Sequence, residues 1–315
     1  MISMKIAMKK YLIPILAIFL LNCSDSDKDQ YVLPDWQIYD YRFIDVEVSS
    51  FSRLHDDTIY NIKATNSYKF TIVDKSDQFY TVEMRNITAP NIDFVAGIDS
   101  LQEPINKIMF LVDNFSKISI PYRVQLTIDG EIVGIVDWEN VFEKFMLEIF
   151  NIADSIGFSA DEFQYFEHYV NTNLGMEEAL RNALFKEISD VLELYNTKIP
   201  KKDSIITQMI QAPDPNSGRI VNANLHYRTL EVINGIYKIE MEIDFADDLF
   251  ADSDKLINDL LESNEPSKPL NVNMENRAIY YWNSNTSWID SSRFYMNVVT
   301  DSIEINVQSN TVLYR

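Results

Sequence analysis

Tyr122-Arg123-Val124-Gln125-Leu126-Thr127-Ile128-Asp129-Gly130-Glu131-Ile132-Val133-Gly134-Ile135-Val136 is the stretch whose reading decides the fold. Two runs rich in apolar and β-branched residues flank Asp129-Gly130. Asp-Gly supplies the positive φ that a tight hairpin turn requires. Directly after it the apolar period lengthens from two to about 3.6. Trp138, Val141, Phe142, Phe145, Met146, Ile149 and Phe150 then share one helical face, with Asp137 in the N-cap position.

The same two patterns extend outward in both directions. Upstream, Trp36 to Val48 is an apolar and aromatic run with partial alternation. Tyr68 to Val73 and Phe79 to Met84 flank Asp74-Lys75-Ser76-Asp77 as a second hairpin. Pro104 to Asn114 reads as a short helix or an irregular crossover. Downstream, Ser159-Ala160-Asp161-Glu162 matches a capping box, and a further helix is expected from about Leu174 to Tyr195, closed by Pro200. Strands return after Gly218, with Asn234-Gly235 as a third turn, a short helix after Asp252, and a terminal meander from Arg293 to Tyr314.

The order strands, helices, strands lacks a βαβ rhythm. It predicts an α+β fold with antiparallel, hairpin-rich curved sheet before and after a central helical block. The expected divisions are an N-terminal segment 1–22, an acidic tether 23–33 and a body 34–315. Within the body, strands occupy 34–136 and 218–315 and helices 137–199, with 200–218 as the candidate boundary; the two strand blocks read either as related sheet units or as one curved sheet around the helices, and one continuous structure is favoured over two separable domains.

Composition narrows the function classes. The chain has 315 residues and a net charge of −21. Such a surface repels nucleic-acid phosphates and anionic headgroups, so no nucleic-acid partner is expected. Seven glycines are few for phosphate loops or nucleophile elbows. No G-x-S-x-G, P-loop or H-E-x-x-H pattern occurs. His55, His168 and His226 stand far apart, and none has a metal-ligand spacing partner. Glu139 and Glu143 share a helix face that reads as solvated, as does Glu148. Tyr280, Tyr281, Trp282 and Trp288 form an aromatic cluster whose alternatives are a glycan platform and strand core. No catalytic residue, metal or cofactor is assigned.

The N-terminus carries the clearest signal. Lys5, Lys9 and Lys10 precede an apolar run from Tyr11 to Leu21, broken only by Pro14, and Cys23 follows. A basic flank, a short apolar stretch and a processing site describe a secretory signal. The run is too short to span a bilayer. Cys23 is the only cysteine, so no disulfide can form within the chain. Removing residues 1–22 leaves 24 basic against 48 acidic residues, a net charge of −24.

Leu20-Leu21-Asn22-Cys23 resembles the cleavage site of bacterial lipoprotein precursors. That resemblance implies lipidation at Cys23 and attachment to the membrane through two or three acyl chains, palmitate among them. Ser24-Asp25-Ser26-Asp27-Lys28-Asp29 is similar to the export signal of Bacteroidota lipoproteins. It implies the outer membrane, with display at the cell surface. Asp-[Ser/Thr]-aliphatic triplets resemble the Bacteroidota O-glycosylation sequon, implying acceptors at Thr58, Ser100, Ser155, Ser204 and Ser302. The body resembles lipoproteins of the same group to which no activity is attached.

The leading expectation is therefore a non-catalytic, lipid-anchored envelope protein that acts as a binding or accessory module. Its partner would be an envelope protein, a glycan or a small molecule. Trp138, Phe142 and Phe145 are candidate lining residues for an internal ligand. Two alternatives stand beside it: a glycan- or peptide-active hydrolase whose two carboxylates face each other across a cleft, and a structural subunit of an envelope complex.

Overall fold

The two strand-rich blocks on either side of the helical stretch join into one sheet. The structure, a computed structural model, describes residues 30–54, 57–96, 120–156, 164, 168, 189, 191–213, 220–245, 273–299 and 303–315. The first block supplies β1 (Tyr41–Leu54), β2 (Asp57–Lys75), β3 (Phe79–Ala96), β4 (Tyr122–Thr127) and β5 (Ile132–Val136). The helix α1 (Trp138–Ile156) follows. The second block supplies β6 (Ile205–Pro213), β7 (Ile220–Ile233), β8 (Ile236–Phe245), β9 (Asn273–Asn283), β10 (Trp288–Val299) and β11 (Ile303–Tyr314). The strand order is β5-β4-β3-β2-β1-β11-β10-β9-β8-β7-β6, antiparallel throughout.

The joint is the pairing of β1 with β11, in register from Phe43↔Tyr314 to Leu54↔Ile303. This overturns the α+β fold divided by a central helical block: the described residues are nearly all antiparallel sheet, with α1 the one helix described along its length. The physical reason lies in the strand edges. In two separate sheets, β1 and β11 would each present a long row of unpaired backbone groups. Pairing them satisfies both rows. Helical periodicity in the intervening sequence is a local signal and carries no information about that pairing.

The local turn chemistry forms as its residue types require. Gly130 (φ 95°) closes the β4–β5 hairpin, and Asn234 (φ 51°) with Gly235 (φ 80°) closes β7–β8. The Ser76 amide donates to the Phe79 carbonyl at 2.8 Å in the β2–β3 turn. Asp137 precedes α1, and its carbonyl accepts the Val141 amide at 3.2 Å. Val141 and Met146 are buried on the expected helix face. β11 runs unbroken through the second half of the expected terminal meander, and β6 occupies part of the stretch 200–218. The expected crossover at Pro104–Asn114 and the helix after Asp252 lie outside the described residues, as does most of the expected helix Leu174–Tyr195.

Alternation gives the sheet an inner and an outer face. On β1, Ile44 and Val46 point inward and are buried, while Asp45 and Glu47 are exposed. The inner row continues through Tyr68, Phe70 and Ile72 on β2, Tyr80, Val82 and Met84 on β3, and Tyr280 and Trp282 on β9. Two segments outside the sheet cover one end of this face. Val32 exchanges backbone hydrogen bonds with Thr197 and Asn196, and the Tyr39 amide donates to the Ile72 carbonyl at 2.8 Å. Tyr31 bridges Lys198, and Tyr31–Arg315 is one compact unit.

The sheet is strongly bent there. β3 and β10 are four strand steps apart, about 19 Å in a flat sheet at 4.7–4.9 Å per step. Yet the Trp36 ring touches Tyr80 on β3 at 5.2 Å and Trp288 on β10 at 4.7 Å between centroids.

Candidate functional site

The outer face holds a solvent-open depression of about 460 Å³. It spans β1, β11, β10 and β9, and its residues come together only through cross-strand register. In one row Glu47, Asn310, Arg293 and Ile279 lie side by side. In the next row stand Ser49, Gln308, Tyr295 and Arg277. Each strand contributes residues i and i+2, which share a face because side chains alternate. Phe294 and Ser309 belong to the inner parity and form the floor between the rows.

Two guanidinium groups dominate the electrostatics. Arg277 and Arg293 are diagonal neighbours across β9 and β10, a relation that places the two residues about 7–8 Å apart and their Cβ atoms somewhat closer. Arg277 is partly engaged, with Nη1 3.6 Å from Oε1 of Glu240 on β8. Glu240 also forms a short ion pair with Arg228 on β7. The hydrogen bond and charge of Glu240 raise the Arg228 pKa above its ordinary value. The Glu240 side chain is 5% exposed, so both arginines serve a buried carboxylate. Among the described residues, the side chains of Arg293, Tyr295 and Asn310 make no hydrogen bond or ion pair.

An amide ladder fixes the far wall. Nε2 of Gln308 donates to Oδ1 of Asn306 at 3.1 Å, and Nδ2 of Asn306 donates to Oδ1 of Asn297 at 3.4 Å. Among the described residues no donor reaches the side-chain carbonyl oxygen of Gln308, which is presented as an acceptor. The depression offers cationic donors, neutral amides, a phenol and, at its rim, the Glu47 carboxylate. It can bind a polar ligand with both donor and acceptor groups.

A second depression, about 540 Å³, lies beside the β4–β5 turn and is lined by Glu131, Glu193 and Tyr195. Nδ2 of Asn196 donates to Glu131 at 2.9 Å, and the Tyr280 hydroxyl donates to Glu193 at 3.4 Å. Tyr195 is buried, and burial pushes its phenol pKa well up.

The expected site residues are scattered. Cys23, Ser100 and Ser302 lie outside the described residues, and Ser155 falls in α1 with no description of its side chain. Thr58 is partly exposed near the start of β2. Ser204 is half-buried, and its hydroxyl donates to the Lys201 carbonyl at 2.7 Å. Trp138, Phe142 and Phe145 pack half-buried against the core cluster. Tyr280, Trp282 and Trp288 are buried, which leaves only Tyr281 of that aromatic cluster on the outer face. His226 is an outer-face residue whose Nδ1 bonds Thr207 Oγ1 at 2.9 Å, His168 is exposed, and His55 lies outside the described residues. Sequence reasoning missed Arg277, Arg293 and Asn310. Their only signal is the polar i, i+2 spacing on three strands.

No described helix is long and apolar enough to cross a membrane. No family model matches the chain, and no curated protein matches it. Among solved structures, lipovitellin, in a structure concerned with lipid–protein interactions, matches 89% of this chain at 11% identity and a TM-score of 0.43. The chain spans about a quarter of lipovitellin's length, 26%. An outer membrane channel from Pseudomonas putida F1 matches 93% of this chain and 100% of its own, at 5% identity and a TM-score of 0.27. The lipid and the outer membrane belong to those two proteins. At these scores neither likeness bears on what this chain does.

Proposed function

We propose that the chain is a non-catalytic, lipid-anchored protein of the bacterial outer membrane that works as a binding module. Lipid at Cys23 holds it to the membrane, and the broad antiparallel sheet is its binding platform. The observation that carries the binding role is the convergence of Arg277 and Arg293 on one polar depression, in a chain of net charge −21. The anchor rests on the Lys-rich, apolar and Cys23 sequence and on the Asp-rich run that follows it. Two or three acyl chains attach a protein durably, whereas one does not. Export to the cell surface, and sugars on the Asp-[Ser/Thr]-aliphatic acceptors, belong to the same reading.

Mass spectrometry of the protein from its native cells tests the anchor. The expected N-terminus is a diacylglycerol-modified Cys23 with residues 1–22 removed. An intact Met1 and a free thiol would overturn it. Crosslinking in native membranes followed by co-purification tests the binding role, with recovery of a defined envelope partner or glycan as the expected result.

A further inference from the structure

We infer that the outer-face depression binds a carboxylated saccharide, held by Arg293 with help from Arg277. The inference rests on the binding-module reading and names the ligand class of that site. The first step is charge. Arg293 carries a guanidinium with no protein partner among the described residues, in the lining of a concave surface. A guanidinium presents paired donors whose spacing matches the two oxygens of a carboxylate. Arg277, tied on one side to Glu240, adds positive charge from the neighbouring strand.

The second step is the rest of the lining. Asn310 offers its amide and Gln308 its carbonyl oxygen, while Tyr295 adds a hydroxyl and an aromatic wall. Glu47 at the rim is an acceptor and cannot bind a second anion. An inorganic anion would use the arginines and leave this mixed set idle. A ligand with a carboxylate on each sugar and many hydroxyls uses all of it, since each hydroxyl both donates and accepts. The volume of about 460 Å³ lies within the range of small-ligand sites.

The third step is the field of the whole chain. A net charge of −21 opposes the approach of a dense polyanion. The opposition falls off over about 8 Å at physiological ionic strength. A sparsely charged sugar acid meets little of it before the arginines take hold, whereas a polysulfated chain meets it along its length. Local cation and global anion together select a low charge density.

Calorimetric titration of the protein purified from its native cells, from whichever fraction holds it, tests the inference. The probes are digalacturonate, the uncharged disaccharide galactobiose, and sodium sulfate. Digalacturonate is expected to bind at least about tenfold more tightly than either of the others. Arg293→Gln is expected to weaken it about tenfold or more, Arg293→Lys less, and Asn310→Ala several-fold. Arg293 is exposed, so its replacement leaves the fold intact, and an unchanged thermal transition checks this. Absence of digalacturonate binding would overturn the inference. So would equal binding of galactobiose, equal binding of sulfate, or indifference to Arg293→Gln. The titration does not depend on the lipid, so its failure is distinct from a failure to find lipid at Cys23.

Discussion

Trp36 stacks on Trp288 with ring centroids 4.7 Å apart and planes 28° from parallel. One residue precedes the first strand and the other opens β10, so the stack ties the lead-in segment to the far half of the sheet. The Trp36 ring also meets Phe70, Tyr80 and Tyr195 at 5.2–5.5 Å. Arg42 lies over the Trp288 ring, 4.5 Å from its centroid. Large aromatic side chains dominate core energetics, and aromatic pairs add about 0.5–1.5 kcal/mol beyond the area they bury. Trp36→Ala is expected to destabilise the protein by about 3–5 kcal/mol, and Trp36→Phe by clearly less. Urea unfolding followed by circular dichroism measures both. A loss below about 1 kcal/mol for the alanine variant would mean that the stack does not hold the bend.

Gly130 and Gly235 both occupy turn positions with positive φ, yet alanine is expected to act differently at the two. At Gly130 an added Cβ would lie 2.6 Å from Cβ and 2.9 Å from Cγ of the buried Tyr195. Those atoms sit close to the backbone and cannot swing away. At Gly235 the nearest atom is Nδ2 of Asn285, at 2.6 Å, the end of an exposed side chain. Gly235→Ala therefore carries mainly the left-handed backbone strain, about 1–2 kcal/mol, plus the bond that Nδ2 of Asn285 donates to the Asn234 carbonyl. Gly130→Ala adds displacement of Tyr195 to the same strain. Thermal melts of the two variants are expected to rank Gly130→Ala as the more damaging by at least about 2 kcal/mol.

Those two turns were legible because Asp129-Gly130 and Asn234-Gly235 state their conformation within two residues. The buried face of α1 was legible for the same reason: Val141 and Met146 follow a short period. The β1–β11 pairing was not. Phe43 and Tyr314 are neighbours through register alone, and no local pattern in either strand names its partner. Two hairpin-rich blocks with a helix between them fit two sheets as well as one. The depression was hidden by the same cause. Glu47, Asn310, Arg293 and Arg277 lie on four strands, and in a chain with 24% charged residues each reads alone as a solvated position.

Tyr195 makes stability depend on alkaline pH. Burial holds its phenol in the neutral form far above the ordinary value, opposed by a backbone hydrogen bond at Ile289 and by the charge of Arg42. The unfolded chain loses this proton near pH 10, while the folded chain keeps it. Above that pH the unfolded state binds fewer protons, so stability falls as pH rises, by about 1.4 kcal/mol per unit from this group. Below pH 10 the contribution is complete. Tyr227, raised by burial and by the charge of Glu193, acts in the same direction. Urea titrations at stepped pH are expected to show the decline in the parent protein and a shallower one in Tyr195→Phe. That variant also loses the bond from the Tyr195 hydroxyl to the Ser287 carbonyl at 3.0 Å, about 1 kcal/mol at neutral pH. Equal slopes in the two proteins would show that the phenol is not held neutral.

Glu240 links stability to the depression. Its carboxylate is 5% exposed, whereas the side chains of Arg228 and Arg277 are 51% and 43% exposed. Removing an arginine strands a buried charge, and removing the carboxylate returns two arginines to water. Loss of Arg228, directly opposite Glu240 on β7, is therefore expected to cost more than loss of Arg277. A double-mutant cycle is expected to give Arg228 and Glu240 a coupling of about 1.5–3 kcal/mol, in the range of charged hydrogen bonds. The Arg277 pair, at 3.6 Å and partly solvated, should fall below about 1 kcal/mol. Glu240→Gln removes a negative charge beside the site and frees Arg277 from its ion pair. It is expected to tighten digalacturonate binding two- to fivefold while lowering the thermal transition. Tighter binding in a less stable protein is an outcome that general loosening of the sheet would not produce. A Glu240→Gln protein that binds more weakly would show that Arg277 needs its carboxylate to be held at the ligand.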